Sequence, residues 1–248
     1  RYNIPNIQIT GFDVIVNKPT MRPYRAPGAP QALFAVEQIM DELAEKCEMD
    51  IIDFRMKNLT KPGDLLVPGF PLAPIDTVGM METVKNHPHY SAPLTGENQG
   101  RGMAYTVWFN LGDISSAQLS VNMDGSVQVI TASPDMSGTR MTFAMQAAEA
   151  LGIDIKHVSA SVGDTDAVGF ALPTVGSRTT YAVGSVIYDI AQDILKEMSS
   201  RVALLWETDP DLVSVEKGVF SNKEDASLKM SFEEVCEKLH ETGGPITL

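Results

Sequence analysis

Cysteine is scarce: Cys47 and Cys236 are the only two in 248 residues, far apart and without metal-ligand spacing. A reducing, cytoplasmic setting is the simplest fit to so few thiols. Cationic residues are short too, with Lys and Arg numbering 19 against 32 Asp and Glu, a net charge of -13. That balance excludes general binding to nucleic acid or anionic membrane surfaces, whose phosphates it would repel. No apolar run is long enough to span a bilayer, and no signal-peptide pattern is visible at the start. The four histidines (His87, His89, His157, His240) do not cluster with carboxylates at ligand spacing, so no metal held directly by side chains is expected. P-loop glycines, a Rossmann fingerprint and a nucleophile elbow are all missing, which leaves nucleotide-cradle and acyl-transfer chemistry without support.

What is present is an interleaving of helix and strand patterns. Residues 1–20 read as strands through Ile4, Ile7 and Ile9 and then Phe12 to Val16. Residues 21–30 hold Pro23, Pro27, Gly28 and Pro30 and must be a loop. A helix is expected over 31–47, with Leu33, Phe34, Val36, Ile39, Met40, Leu43 and Ala44 on its apolar face. Further helices are expected over 51–58 and 75–86, and a subdomain boundary between about Ser91 and Gly100. Strand patterns then cover 102–109, 117–121 and 126–131, with Asp124-Gly125 as a hairpin turn. A helix over 139–151, a strand over 157–162, a helix over 180–205, a strand over 213–220 and a Ser231-capped helix over 232–241 follow. The order predicts an α+β protein: a two-layer arrangement with mixed sheets, a β-hairpin-α-β-α-β core and an N-terminal helical segment. The chain starts on Arg and ends on a strand-like Ile246-Thr247-Leu248, so a piece of a longer polypeptide is expected.

Two strand-to-helix turns stand out. Ser133-Pro134-Asp135-Met136-Ser137-Gly138-Thr139 opens the helix at 139, and Pro173-Thr174-Val175-Gly176-Ser177-Arg178-Thr179-Thr180 opens the helix near 180. Helix starts offer unpaired N–H groups and the positive end of the dipole, which suits an anionic ligand such as a phosphate. The competing reading is a pair of ordinary hydroxyl caps. Arg25, fixed in the proline-bracketed loop, is suited either to a planar anionic or carbonyl group or to a structural ion pair, and Arg178 admits the same two roles.

Two longer stretches together resemble the molybdopterin-binding part of the molybdenum hydroxylase large subunit, the family of xanthine dehydrogenase, aldehyde oxidoreductase and aerobic carbon-monoxide dehydrogenase. One runs from Tyr24-Arg25-Ala26-Pro27-Gly28 through Phe34 and Met40-Asp41-Glu42 to Asp53-Phe54-Arg55-Met56-Lys57-Asn58. The other joins Asp135-Met136-Ser137-Gly138-Thr139, Gly163-Asp164-Thr165 and Gly176-Ser177-Arg178-Thr179-Thr180. The resemblance implies a molybdenum–molybdopterin cofactor, in the plain or the cytosine dinucleotide form, whose metal is held by the pterin's own sulfurs. It implies that Asp135, Met136, Ser137, Gly138, Thr139, Gly176, Ser177, Arg178 and Thr179 face that cofactor. By the same resemblance Arg25 orients substrate, and the reaction is oxidative hydroxylation of an aldehyde or N-heterocycle.

Iron–sulfur clusters and FAD are then expected on other domains or subunits, which with a small-molecule substrate are the implied partners. Residues 1–95 become a strand and helical segment with the active-site arginine loop, and residues 96–248 a molybdopterin-binding subdomain cut short at its C-terminus. Ser137-Gly138-Thr139 stands where members often carry Gly-Gln-Gly, and Ala26 stands where the carbon-monoxide type has cysteine, which counts against that substrate. The family's general-base glutamate lies in a glycine-rich motif farther along, so the isolated chain is expected to be inactive. The alternative is a non-catalytic binding or assembly module that keeps the fold without the cofactor.

Overall fold

Glu37, Met40 and Ala44 recur at helical spacing and form the buried stripe of α1 (Ala29–Lys46). The computed structural model describes residues 2–67, 70–108 and 110–248. The chain divides into two units, 1–108 and 109–248. In the first, α1 packs on α2 (Ile51–Asn58), whose Asp50 cap accepts from Ile52 and Asp53 N–H. A short pair β1 (Leu65–Val67) and β2 (Phe70–Pro71) precedes α3 (Thr77–Asn86) and α4 (Pro88–Ser91). Tyr2, Met40, Ile52, Leu59, Met81 and Tyr105 make the core of this unit.

The second unit is built on a four-stranded mixed sheet. β3 (Ala117–Val121) and β4 (Val127–Thr131) form the antiparallel hairpin, turning at Gly125 with φ 80°. From β4 the chain crosses through α5 (Thr139–Leu151) to β5 (Val158–Val162), which pairs parallel to β4. The long α6 (Thr179–Leu205) packs beside α5 and over β3. Then β6 (Val213–Glu216), β7 (Val219–Asn222) and β8 (Lys229–Ser231) make a separate antiparallel sheet. Finally α7 (Phe232–Glu237) leads to β9 (Ile246–Thr247), which joins the first sheet beside β3 in the order β5-β4-β3-β9. Leu119, Val121, Val127 and Val129 alternate onto the face that Phe143, Ala147, Val183 and Ile187 cover. The α+β class with mixed sheets therefore stands.

Several sequence expectations need correction. Residues 3–20 contain no strand: Tyr2 bridges Leu59, and beyond it Ile7, Ile9, Phe12 and Ile15 are exposed. An alternating pattern becomes a strand only where a neighbour takes up its backbone groups. Residues 102–108 are not a strand either, because the Tyr105 N–H donates to the Glu37 carboxylate instead of to a ladder (Phe109 lies outside the described residues). The strand expected over 213–220 is two, since Lys217 (φ 49°) and Gly218 (φ 72°) make the double left-handed turn that closes a tight hairpin. The helix expected to reach 241 ends at Glu237 and continues as a 3₁₀ turn over Leu239–Glu241, although the Ser231–Glu234 capping box forms as expected. On α1 the apolar face is rotated: Phe34 and Ile39 are exposed, while Glu37 is buried.

Candidate functional site

Neither of the two turns is an ordinary hydroxyl cap. The N-cap of α5 is Gly138, in the left-handed region, and that of α6 is Arg178; no side chain caps either helix. In the first loop Ser137 (φ 58°) and Gly138 (φ 85°) are both left-handed, and in the second Gly176 and Ser177 both have φ 57°. A non-glycine residue at positive φ is uncommon, so one at each helix start is a built feature. The change of hand from Gly138 into Thr139, and from Ser177 into Arg178, is a backbone pattern that can gather N–H groups around an anion, although the Arg178 N–H is taken by Val175 O. Among the described residues no acceptor takes the N–H of Ser137, Gly138 or Thr139, nor that of Ser177, Thr179 or Thr180.

The first loop is braced from within. Thr139 Oγ1 accepts from Met136 N–H and donates toward Pro134 O and Asp135 Oδ1. Asp135 accepts from the Arg140 N–H and, at 2.8 Å, from Arg140 Nε. Those bonds, the Arg140 side chain first, hold the Asp135 carboxyl below the usual carboxylate range. Met136 and Ser137 are left exposed at the tip, and a Cβ placed on Gly138 would meet nothing within 4 Å.

The second loop is held by Arg178, whose side chain is buried at 1% exposure. Its guanidinium donates to the carbonyls of Gly112, Asp113, Ile114 and Leu172 and to Ser115 Oγ. The side chain thus clamps one segment of backbone to another. Asn110 Nδ2 donates to Ser177 O, and Leu111 N–H donates to Gly176 O. A Cβ on Gly176 would come within 2.2 Å of the Leu111 side chain, which is 52% exposed and would have to swing aside.

Three hydroxyls near these loops have no hydrogen-bond partner among the described residues: Ser133 Oγ, Thr174 Oγ1 and Thr179 Oγ1. Ser133 and Thr179 are 1% and 4% exposed. A buried hydroxyl without a partner is costly, and such groups point to a bound molecule or water. Ser133 and Thr174 lie within the two turns that the sequence marks but were not among the residues expected to face the cofactor.

Arg25, in the first unit, is exposed at φ 37°, with Ala26 at φ 60°; its guanidinium lies 5.6 Å from the centre of the Tyr24 ring. Also in that unit, sequence reasoning passed over a buried polar knot. Glu37 accepts from Tyr2 Oη at 2.8 Å, Arg55 Nε at 3.0 Å and the Tyr105 N–H at 2.8 Å. Arg55 also reaches Asp41 at 2.7 Å and the carbonyls of Ile51, Glu37 and Met103. The available signal was a glutamate in register with Met40 and Ala44. Among the described residues no group of three His, Cys, Asp or Glu side chains is placed to hold a metal ion.

Known proteins resemble this chain in sequence and in fold. A family model described as molybdopterin cofactor-binding domain matches residues 83–247, and a second model of that description matches residues 1–59. The aldehyde oxidoreductase of Megalodesulfovibrio gigas is 31% identical over 210 residues, 79% of this chain and 23% of its own length. A probable xanthine dehydrogenase subunit of Bacillus subtilis (strain 168) is 26% identical over 251 residues, 96% of this chain and 33% of its own. A solved aldehyde oxidoreductase from Desulfovibrio gigas superposes with a TM-score of 0.61 at 25% identity, over 91% of this chain and 23% of that one. The chain thus spans between 23% and 33% of the length of these relatives. With family models lying over both the arginine loop and the two left-handed helix starts, the chain belongs to the molybdopterin cofactor-binding domain family of the molybdenum hydroxylases.

Proposed function

We propose that this chain is part of the catalytic subunit of a molybdenum hydroxylase, holding molybdopterin through the loops at 133–139 and 174–180. Arg25 orients the substrate, an aldehyde or N-heterocycle. The residues present fit the cofactor: open backbone donors at Ser137, Gly138, Thr139, Ser177 and Thr179 suit its phosphate and pterin edges, and the orphaned Ser133, Thr174 and Thr179 hydroxyls gain partners. Those orphaned hydroxyls are the single observation that carries the reading. When bound, the group supplies a metal that accepts the electrons of the substrate's oxidation. The protein's part is to bind and to orient. Asp135 and Arg140 brace one loop, Arg178 braces the other, and no side-chain ligand to the metal is required. In this reading the cofactor is molybdopterin or its cytosine dinucleotide, and iron–sulfur and flavin domains or subunits carry the electrons away.

The test is the molybdenum and pterin content of the purified full-length gene product, measured for the natural sequence and for Gly138→Val. The natural protein is expected to hold both and the variant, whose side chain fills the open cradle, to lose them. A folded natural protein containing neither would establish the non-catalytic module instead. In the loaded protein Arg25→Ala is expected to lower kcat/KM by about 10²-fold, the usual loss when a reacting partner is no longer held in line. Unchanged turnover would remove Arg25 from the proposal.

A further inference from the structure

Arg101 carries a half-buried charge that no carboxylate meets among the described residues. Arg55 pairs with two carboxylates, and Arg140 and Arg201 with one each. The Arg101 Nη atoms donate to the carbonyls of Tyr90 and Ala92, which fastens α4, while its Nε is buried without an acceptor. Arg178 shows how this fold otherwise satisfies such a group: it too lacks a carboxylate, but it makes five bonds to oxygen, its Nε included. A buried cation with an idle N–H is a standing demand for an acceptor.

The demand falls beside a hollow. Within the first unit a cavity of about 240 Å³ lies between the end of α3, α4 and residues 101–103. Val84 and Met103 give it apolar walls, His87, His89 and Arg101 line it as well, and no acidic side chain is among its lining residues. The protons of its two hydroxyls are committed elsewhere, Thr83 Oγ1 to Gly79 O and Tyr90 Oη to Asp50. His87 Nδ1 accepts the His89 N–H, so the neutral ring carries its proton on Nε2 and offers a donor. The uncommitted donors here thus belong to a guanidinium and an imidazole, set among apolar walls.

We infer that this hollow is a binding site for a small monocarboxylate, its oxygens toward Arg101 and His87 and its short alkyl tail between Val84 and Met103. An ionised carboxylate only accepts, and a guanidinium is its strongest side-chain partner. Phosphate would press a hydrated anion against Val84 and Met103, which costs desolvation without return. The hollow is smaller than the roughly 300–1,000 Å³ of sites for drug-sized ligands, so the tail it holds is a few carbons long. The two loops assigned to the cofactor lie in the second unit and share no residue with it, so the inference stands without cofactor binding.

Ligand-observed NMR titration of butyrate against the purified full-length gene product tests it. Binding is expected, tightening by about fourfold for each methylene added from acetate to butyrate, the worth of one buried methylene. Butyramide, which keeps the tail and lacks the charge, is expected to bind at least about tenfold more weakly, as is butyrate to Arg101→Gln. Val84→Phe fills the hollow and leaves the Arg101 hydrogen bonds in place, so its loss of binding does not depend on the arginine variant folding. Arg25→Ala leaves butyrate binding unchanged. No binding to the natural protein overturns the proposal, as would happen if another part of the polypeptide filled the hollow. Binding that is lost in Arg25→Ala and kept in Val84→Phe overturns it too, by placing the carboxylate at the substrate loop. Affinity indifferent to tail length, or phosphate held more tightly than butyrate, overturns the monocarboxylate.

Discussion

Glu37 and Arg55 show what one residue decides in this protein. Both are nearly inaccessible, at 4% and 0% exposure, and Arg55 pairs with Glu37 at 3.0 Å and with Asp41 at 2.7 Å. Removing Glu37 takes the carboxylate acceptor from the buried Tyr2 and Tyr105 donors and leaves Arg55 with Asp41 as its carboxylate, so Glu37→Ala is expected to cost about 3–5 kcal/mol of stability, read from denaturant midpoints at constant slope. A cost below about 1 kcal/mol would mean that water enters the site and solvates Arg55. The thiols divide in a way that exposure dictates. Burial pushes the Cys236 thiol up to about 12, while Cys47 is exposed. One thiol of two is therefore expected to react with a thiol reagent at pH 8 in the native protein, and both after denaturation. For Cys236 the folded value is the raised one. Its contribution to stability is present below the unfolded thiol value near about 8.5 and is lost as pH rises toward 12. At this scale the sequence was partly legible. The left-handed Ser137 and Ser177 sit in stretches that composition alone marked, whereas Glu37 was hidden because a charge on a helix reads by default as solvated.

The elements were legible where the pattern is local and obscure where it needs a distant partner. Helix α5, its Gly152 stop and strands β3 and β4 follow from residues adjacent in sequence. The isoleucines of 4–15 also read as strand, yet among the described residues no strand pairs with them, and an apolar pattern cannot announce its own partner. The two ends of α5 give an element-scale prediction. Gly138 and Gly152 are both left-handed, at φ 85° and 74°, so alanine at either position bears a backbone strain of about 1–2 kcal/mol. At Gly138 that is the whole effect, because the space is open. At Gly152 a Cβ would lie 2.4 Å from Gly218 N, and backbone cannot rotate away as a side chain can. Gly152→Ala is therefore expected to destabilise by about 1–3 kcal/mol more than Gly138→Ala, the range of overpacking added to strain. Equal losses would show that the helix end and the β6–β7 turn can slide apart.

For the molecule as a whole, the distribution of order predicts where a protease enters. Residues 3–25 contain no regular element and are exposed throughout, with Lys18, Arg22 and Arg25 as the trypsin sites. Two of the three are blocked by sequence, since Pro19 and Pro23 follow Lys18 and Arg22, and trypsin does not cut readily before proline. That leaves the Arg25–Ala26 bond. Of the competing basic residues in irregular segments, Arg101 donates to the carbonyls of Tyr90 and Ala92, Lys223 donates to Asp211 O, Lys61 is followed by Pro62, and Lys217 sits in the tight β6–β7 hairpin turn. Arg55 and Arg178 are buried, and the lysines on α1, α2 and α3 require a helix to open before cleavage. Limited trypsin digestion is therefore expected to yield first a product beginning at Ala26, identified by mass. If the first cut falls after Arg101 instead, the segment following α4 opens more readily than the arginine loop. That result would remove the basis for treating 3–25 as the least protected part of this protein.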